Sequence, residues 1–215
     1  MNIKEDFEKA YEKPGIAIWT SKEPPKELIE LVESGKIKPC KVIDIGCGEG
    51  FYSIYLAKKG FEVLGIDISK KAIKYAKENA EQAGVNVRFI AMDIFDLPNL
   101  NEKFDFILEW AIMHHIKFEK RKEYVKIINN VLNKGGKYFS TCFNVQSTMF
   151  GEASTRTRII PENARALLGE EVYFSSLEEL KELFNLYFKI IESKLFKKTD
   201  AGKTNTLNYL FMEKI

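Results

Sequence analysis

Between Lys41 and Ser69 the chain reads KVIDIGCGEGFYSIYLAKKGFEVLGIDIS. Gly46, Gly48 and Gly50 alternate with Cys47 and Glu49, and two acids flank the turn: Asp44 before it and Asp67 at the end of the next apolar run. Glycines so placed let the backbone approach a bound molecule closely. Such a turn between a strand and a helix can set a pyrophosphate on the helix N-terminus, with the fingerprint G-x-G-x-x-G/A. Here Phe51 stands where the third small residue belongs, and the carboxylates of Asp44 and Glu49 repel a dianion. They suit instead a ligand bearing an ammonium and a sulfonium. Further along, Asp93 closes a third apolar run, Glu109 and Trp110 close a fourth, and the only two histidines, His114 and His115, follow. An imidazole at that place either takes a proton from a thiol, hydroxyl or amine or packs and caps the next helix.

Strands and helices must carry these groups. VIDI, EVLGID, VRFIAMD, FDFILEWA and KYFSTCFN read as buried strands. Between them lie helical stretches: FYSIYLAKKG stopped by Gly60, a segment capped by Ser69 with Ala72, Ile73, Ala76, Ala80 and Ala83 on one face, and EKRKEYVKIINNVLNKGG ending at Gly135-Gly136. This alternation predicts a parallel sheet with helices on both faces. The C-terminal end differs. A helix over SLEELKELFN is followed by FKIIESKLFKK and TNTLNYLFMEK, joined only by TDAG, and so short a link requires an antiparallel hairpin.

The rest bounds the problem. The chain has 215 residues, 45% hydrophobic and 30% charged, which suffices for one domain spanning 1–215 with a sizeable core. A net charge of +2 leaves no electrostatic footprint for nucleic acid. Three cysteines, Cys40, Cys47 and Cys142, lack C-x-x-C spacing, so neither a disulfide framework nor a metal site is expected. The opening MNIKEDFEKAYEK has no apolar signal core, and no run approaches the ~18 apolar residues of a membrane span. A cytoplasmic location with no membrane partner is the expectation. Within the domain, 1–38 reads as a helical cap, 39–144 as the binding core, 145–175 as an aperiodic insertion covering the site, and 176–215 as a helix and hairpin. A loop that long is usually functional or mobile.

VIDIGCGEG resembles the first motif of the class I S-adenosylmethionine-dependent methyltransferases, typically D/E-x-G-x-G-x-G. Asp67, Asp93, FDFILEWAIMHHI, LNKGGKYFSTCF and the closing hairpin match that family's later stations in order and spacing. The resemblance implies a Rossmann-like fold with a seven-stranded, mostly parallel sheet, S-adenosylmethionine as cofactor and S-adenosylhomocysteine as product. It implies cofactor contacts from Asp44, Gly46, Cys47, Gly48, Gly50, Asp67, Ile68, Asp93, Ile94, Glu109 and Trp110. Among these Asp67 takes the ribose hydroxyls, Asp93 the adenine amino group and Asp44 the methionine amino group. His114 and His115 lie beside the departing methyl group in that fold.

The segment YEKPGIAIWTSKEPPKELIELVESGKIKP looks more loosely like small-molecule methyltransferases of the thiopurine and tellurite-resistance kind. That likeness points to a small acceptor with a thiol or other soft nucleophile. Tyr11 and Trp19 then line the acceptor site, or else anchor the segment to the core. Arg156 and Arg158 hold an anionic acceptor, or else stay as surface arginines. EWAIMHH departs from the N/D-P-P-Y/F of enzymes that methylate base amines, against a nucleic-acid substrate. Two rival readings stay open from sequence: a non-catalytic S-adenosylmethionine-binding regulatory module, and a nicotinamide-dependent oxidoreductase. The oligomeric state is not legible.

Overall fold

A computed structural model describes residues 3–15, 17, 19–161, 169–200 and 203–215. Its centre is a seven-stranded sheet in the order β3-β2-β1-β4-β5-β9-β8. The strands are β1 (Lys41–Ile45), β2 (Glu62–Asp67), β3 (Arg88–Ala91), β4 (Phe104–Trp110), β5 (Leu132–Phe143), β8 (Phe188–Asp200) and β9 (Lys203–Lys214). The first five pair in parallel, while β9 lies antiparallel between β5 and β8. The expected sheet and closing hairpin are present; the TDAG link falls partly on 201–202, outside the described residues.

Strand alternation sorts side chains onto two faces. Val42, Val63, Phe106, Leu108 and Phe139 pack with Leu28 and Leu31 of α2 (Lys26–Glu33) and Leu56 of α3 (Phe51–Lys58). Ile43, Ile45, Ile66, Ile107 and Tyr138 pack on the other face against Tyr124 and Ile128 of α5 (Arg121–Val131) and Leu180 and Phe184 of α6 (Leu177–Phe184). Between β2 and β3, α4 (Lys70–Gln82) buries Ala72, Ile73, Ala76 and Ala80. Ser69 caps α4, its Oγ accepting from Ala72 N at 3.1 Å.

Two stretches differ from the sequence reading. The fifth helix stops at Val131, because Leu132 already pairs with Phe104 on β4; pairing then skips to Phe106 and Lys137, so the Gly135-Gly136 loop is extruded within β5 rather than ending the helix. The 145–175 insertion contains a two-stranded ribbon of β6 (Thr157–Ile159) and β7 (Glu171–Tyr173), each too short to show a period. N-terminal to the sheet, α1 (Ile3–Ala10) contacts α4.

Candidate active site

Parallel β-strands gather ligand sites at their C-terminal ends. A cavity of about 650 Å³ opens there, at the ends of β1, β2, β4 and β5. Its wall includes Asp44, Gly46, Cys47, Gly48, Asp67 and Trp110 from the sheet and glycine turn, together with Tyr11, Trp19, His114 and His115. The turn is tight. Gly46 adopts φ +71, and a Cβ on it would lie 2.1 Å from Ile112 Cδ1. Gly48 has φ +54, and its Cβ would lie 2.8 Å from the Tyr11 hydroxyl. Only glycine accommodates both the left-handed backbone and the crowding.

Asp44 and Asp67 stand on the same face of adjacent strands. Asp44 accepts from Ser53 Oγ of α3 at 2.6 Å. Asp67 accepts from Gly48 N at 2.9 Å and Ser69 N at 2.8 Å, tying the end of β2 to the turn. Burial pushes Asp44 up to about 7, with the Asp67 charge adding to the rise against the Ser53 bond. Burial likewise pushes Asp67 up to about 6, against its backbone hydrogen bonds. No cation figures among the causes of either shift. Two buried carboxylates short of positive charge fit a ligand that brings an ammonium and hydroxyl donors, and they do not fit a pyrophosphate. The Cys47 thiol is held well above its ordinary range by burial, then by Asp44 and Asp67, which disfavours the thiolate.

Glu109 and Trp110 separate. Trp110 shares the Asp44 face, with its ring 6.1 Å from Phe139 and 6.2 Å from Tyr52. Glu109 points to the opposite face and is fully buried. Its carboxylate accepts from Tyr124 Oη at 2.8 Å, from Tyr138 Oη, from Ser140 Oγ at 3.2 Å and from Met113 N at 3.0 Å. It is absent from the cavity wall, as are Gly50, Ile68, Asp93 and Ile94. Asp93 is half-buried and caps the following turn, accepting from Phe95 N at 2.9 Å, one residue beyond the Met92 N–Asp67 O bond that joins β3 to β2.

The arginines of the insertion also lie away from the cavity. Arg156 pairs with Glu179. Arg158, 3% exposed, donates to the carbonyls of Val145, Ser147, Met149 and Thr155 and lies 3.8 Å over the Phe174 ring. It folds the insertion on itself, so the expectation that these two arginines grip an anion does not match where their donors go.

The N-terminal segment closes over the turn. Tyr11, 2% exposed, accepts from Trp19 Nε1 at 2.7 Å. Glu49, one of the acids read as repelling a phosphate, accepts from Gly15 N at 2.8 Å and Thr20 Oγ1 at 3.1 Å. Glu8 accepts from Ser69 Oγ at 2.6 Å and from Lys71 N at 3.3 Å at the start of α4. Sequence reasoning gave Glu49 no such latch role, and it overlooked the cavity residues Phe7, Ala111, Ile112, Phe143, Met149 and Phe150. Position one beyond a central strand was the available signal for Ala111. Its φ of 65 is unusual for a non-glycine residue, and its N–H bonds to Thr141 O at 3.0 Å hold it there.

A model described as a methyltransferase domain matches residues 36–198. The chain belongs to this methyltransferase family. It is 31% identical over 150 residues to a 2-heptyl-1-hydroxyquinolin-4(1H)-one methyltransferase of Mycobacteroides abscessus, the match covering 66% of this chain and 66% of that protein. It is 32% identical over 108 residues to a probable S-adenosyl-L-methionine-dependent methyltransferase, TehB, of Haemophilus influenzae, covering 50% of this chain and 37% of that protein. The chain thus spans less than two thirds of the length of these relatives. Among solved structures, a 1,6-didemethyltoxoflavin-N1-methyltransferase of Burkholderia thailandensis superposes with a TM-score of 0.77 at 21% identity, over 99% of this chain and 87% of that one. That likeness shows the Rossmann-like fold of the methyltransferase. No described helix is long and apolar enough to cross a membrane.

Proposed function

We propose that this methyltransferase binds S-adenosylmethionine at the glycine turn and methylates a small molecule through a thiol or another soft nucleophile. The observation that carries the reading is one cavity whose wall holds two buried carboxylates together with a set of aromatic rings. In this reading Asp67 takes the ribose hydroxyls, Asp44 faces the amino group, and Asp93, outside the cavity wall, takes the adenine amino group.

The cofactor supplies a methyl group already activated on sulfur, which the acceptor's lone pair takes while the carbon–sulfur pair stays on sulfur. What the chain contributes is alignment and exclusion of water. The N-terminal segment and the 145–175 insertion cover the acceptor. Both histidines are held neutral, which makes each a weaker base than a free imidazole. Burial pushes His115 down to about 4, and burial, then the charges of His115 and Arg121, hold His114 well below its ordinary value. A thiol, already partly ionised near neutral pH, needs no strong base, which supports a soft acceptor.

The test is transfer of labelled methyl to thiols, thiopurines, tellurite, selenite, amines, phenols and carboxylic acids, read as S-adenosylhomocysteine release. Turnover confined to thiols and thiopurines bears the proposal out. Turnover confined to amines or carboxylic acids retains the methyltransferase and discards the soft acceptor. Tight cofactor binding with no transfer, together with a stable protein complex, identifies the regulatory module instead.

A further inference from the structure

The closing hairpin carries one polar side chain into an apolar stretch of the cavity wall. Asn205 stands near the start of β9, and strand alternation places it on the same face as Leu207 and Tyr209. Leu207 lies opposite Phe143 of β5 on one side and Phe196 of β8 on the other. Asn205, Leu207, Phe143 and Phe196 all line the cavity, and Asn205 is half-buried.

The Asn205 amide is oriented from behind. Ser147, fully buried and no part of the cavity wall, donates its hydroxyl proton to Asn205 Oδ1 at 3.2 Å. Ser147 is itself fixed: its Oγ accepts from Met149 N at 3.2 Å, its N–H donates to Asn144 O at 2.8 Å and its carbonyl accepts from Arg158 at 2.7 Å. A hydroxyl has one proton, so turning the amide over would leave that proton without its acceptor. Nδ2 therefore lies across the planar amide from Ser147. Nothing among the described residues accepts from Nδ2, and it is not sealed from solvent as the unpartnered Asp6 Oδ2, Tyr55 Oη and His114 Nδ1 are. Trp19 Nε1, Thr20 Oγ1 and Ser21 Oγ, donors on the same wall, are by contrast spent on Tyr11 Oη, Glu49 and Glu23 O. A donor held in a fixed direction on an apolar wall sets which polar atom of a ligand can lie there.

Resting on the methyltransferase reading, we infer that Asn205 is a specificity residue of the acceptor site and that the acceptor carries a carbonyl oxygen, which accepts from Asn205 Nδ2. The donor is a neutral amide, and it matches a neutral oxygen. A carboxylate at this place would need a cation beside it. Lys197 also borders the cavity, but it lies opposite Thr206 and so on the other face of the hairpin from Asn205. Arg156 and Arg158 spend their donors elsewhere.

The test titrates the full chain, in the presence of S-adenosylhomocysteine, with acetylbenzenethiols and ethylbenzenethiols, and with acetylphenols and ethylphenols, each as its ortho, meta and para isomers. Acetyl and ethyl differ little in size, and only acetyl accepts a hydrogen bond. Wild type is expected to bind at least one acetyl isomer about fivefold more tightly than its ethyl counterpart, the fold-change of one neutral hydrogen bond. Asn205→Ala should erase that preference. Asn205→Asp, which keeps an acceptor for Ser147 but offers a ligand only lone pairs, should reverse it. With any probe that turns over, Asn205→Ala should raise KM for the acetyl member alone and leave kcat within a fewfold. Wild type showing no preference at any isomer, or binding none of the probes, overturns the inference whatever the variants do, and so does a preference that survives in both variants. Failure of methyl transfer to every thiol sinks the soft acceptor of the proposed function while the acetyl–ethyl comparison still stands, so the two failures are told apart.

Discussion

Asp44 gives the most direct test of the proposal that the glycine turn takes a cation. In the ligand-free protein burial holds its carboxyl at about 7. A bound ammonium stabilises only the ionised form, so binding is linked to loss of a proton and strengthens as pH rises. With that pKa, roughly a tenth of molecules are ionised at Asp44 at pH 6 and roughly nine-tenths at pH 8, so affinity falls about tenfold on acidification across this range. Asp67, pushed up to about 6, adds about twofold at the acid end. S-adenosylhomocysteine is the ligand of choice, because it keeps the ammonium and lacks the sulfonium. Calorimetry in buffers of different ionisation enthalpy reads both affinity and protons released. Asp44→Asn keeps the Ser53 bond through its amide oxygen but cannot titrate. It should bind about tenfold or more weakly at pH 8, the loss of one charge-assisted contact, and retain only the shallow Asp67 dependence. A flat wild-type profile between pH 6 and 8, or a full slope in the variant, would refute the reasoning.

Other consequences follow from the latches and the buried acid. Glu49→Ala removes the acceptor for Gly15 N and Thr20 Oγ1, so hydrogen exchange of the Gly15 amide should quicken about tenfold or more while the melting temperature barely moves; unchanged exchange would show that Glu49 is no latch. Glu109→Ala leaves two tyrosine hydroxyls, the Ser140 hydroxyl and the Met113 amide without their acceptor, at a cost on the order of 3–5 kcal/mol, and should lower the melting temperature by roughly 10 °C or more. Glu109→Gln, which keeps one acceptor oxygen, should recover about half of that loss, and equal losses in the two variants would mean that packing, not hydrogen bonding, is what Glu109 provides.

The parts of the site visible from sequence are those that local chain geometry decides. Asp67 ends one apolar run and Asp44 stands one residue before the end of another, so the C-terminal edge of the sheet receives both. The glycines demand a turn because their neighbours leave no room for a Cβ. Glu109 and Trp110 were grouped because they are adjacent, yet adjacency in a strand guarantees opposite faces. The period of two therefore already separated them: Trp110 falls in phase with Phe106 and Leu108, and Glu109 with Ile107. Arg158 was not legible in this way. Its partners are four carbonyls of an aperiodic loop, and no spacing rule announces a side chain that substitutes for secondary structure. Glu49 misled for a related reason. A carboxylate in the turn raises the cost of a phosphate wherever it points, but its actual partners lie on a segment 29 and 34 residues earlier in the chain.

That segment joins two chemistries that the sheet alone would keep apart. The elements carrying the carboxylates and the aromatic rings of the cavity wall both touch it. Glu8 sits on Ser69 beside Asp67, Tyr11 crowds Gly48, and Trp19 bonds to Tyr11 while its ring meets Phe7, which in turn meets His115. Tyr11 therefore lies against the glycine turn while its hydroxyl holds the indole of Trp19, which lines the same cavity. With Tyr11 buried and its hydroxyl committed to Trp19, one hydrogen bond ties the residue over the turn to the residue in the aromatic wall.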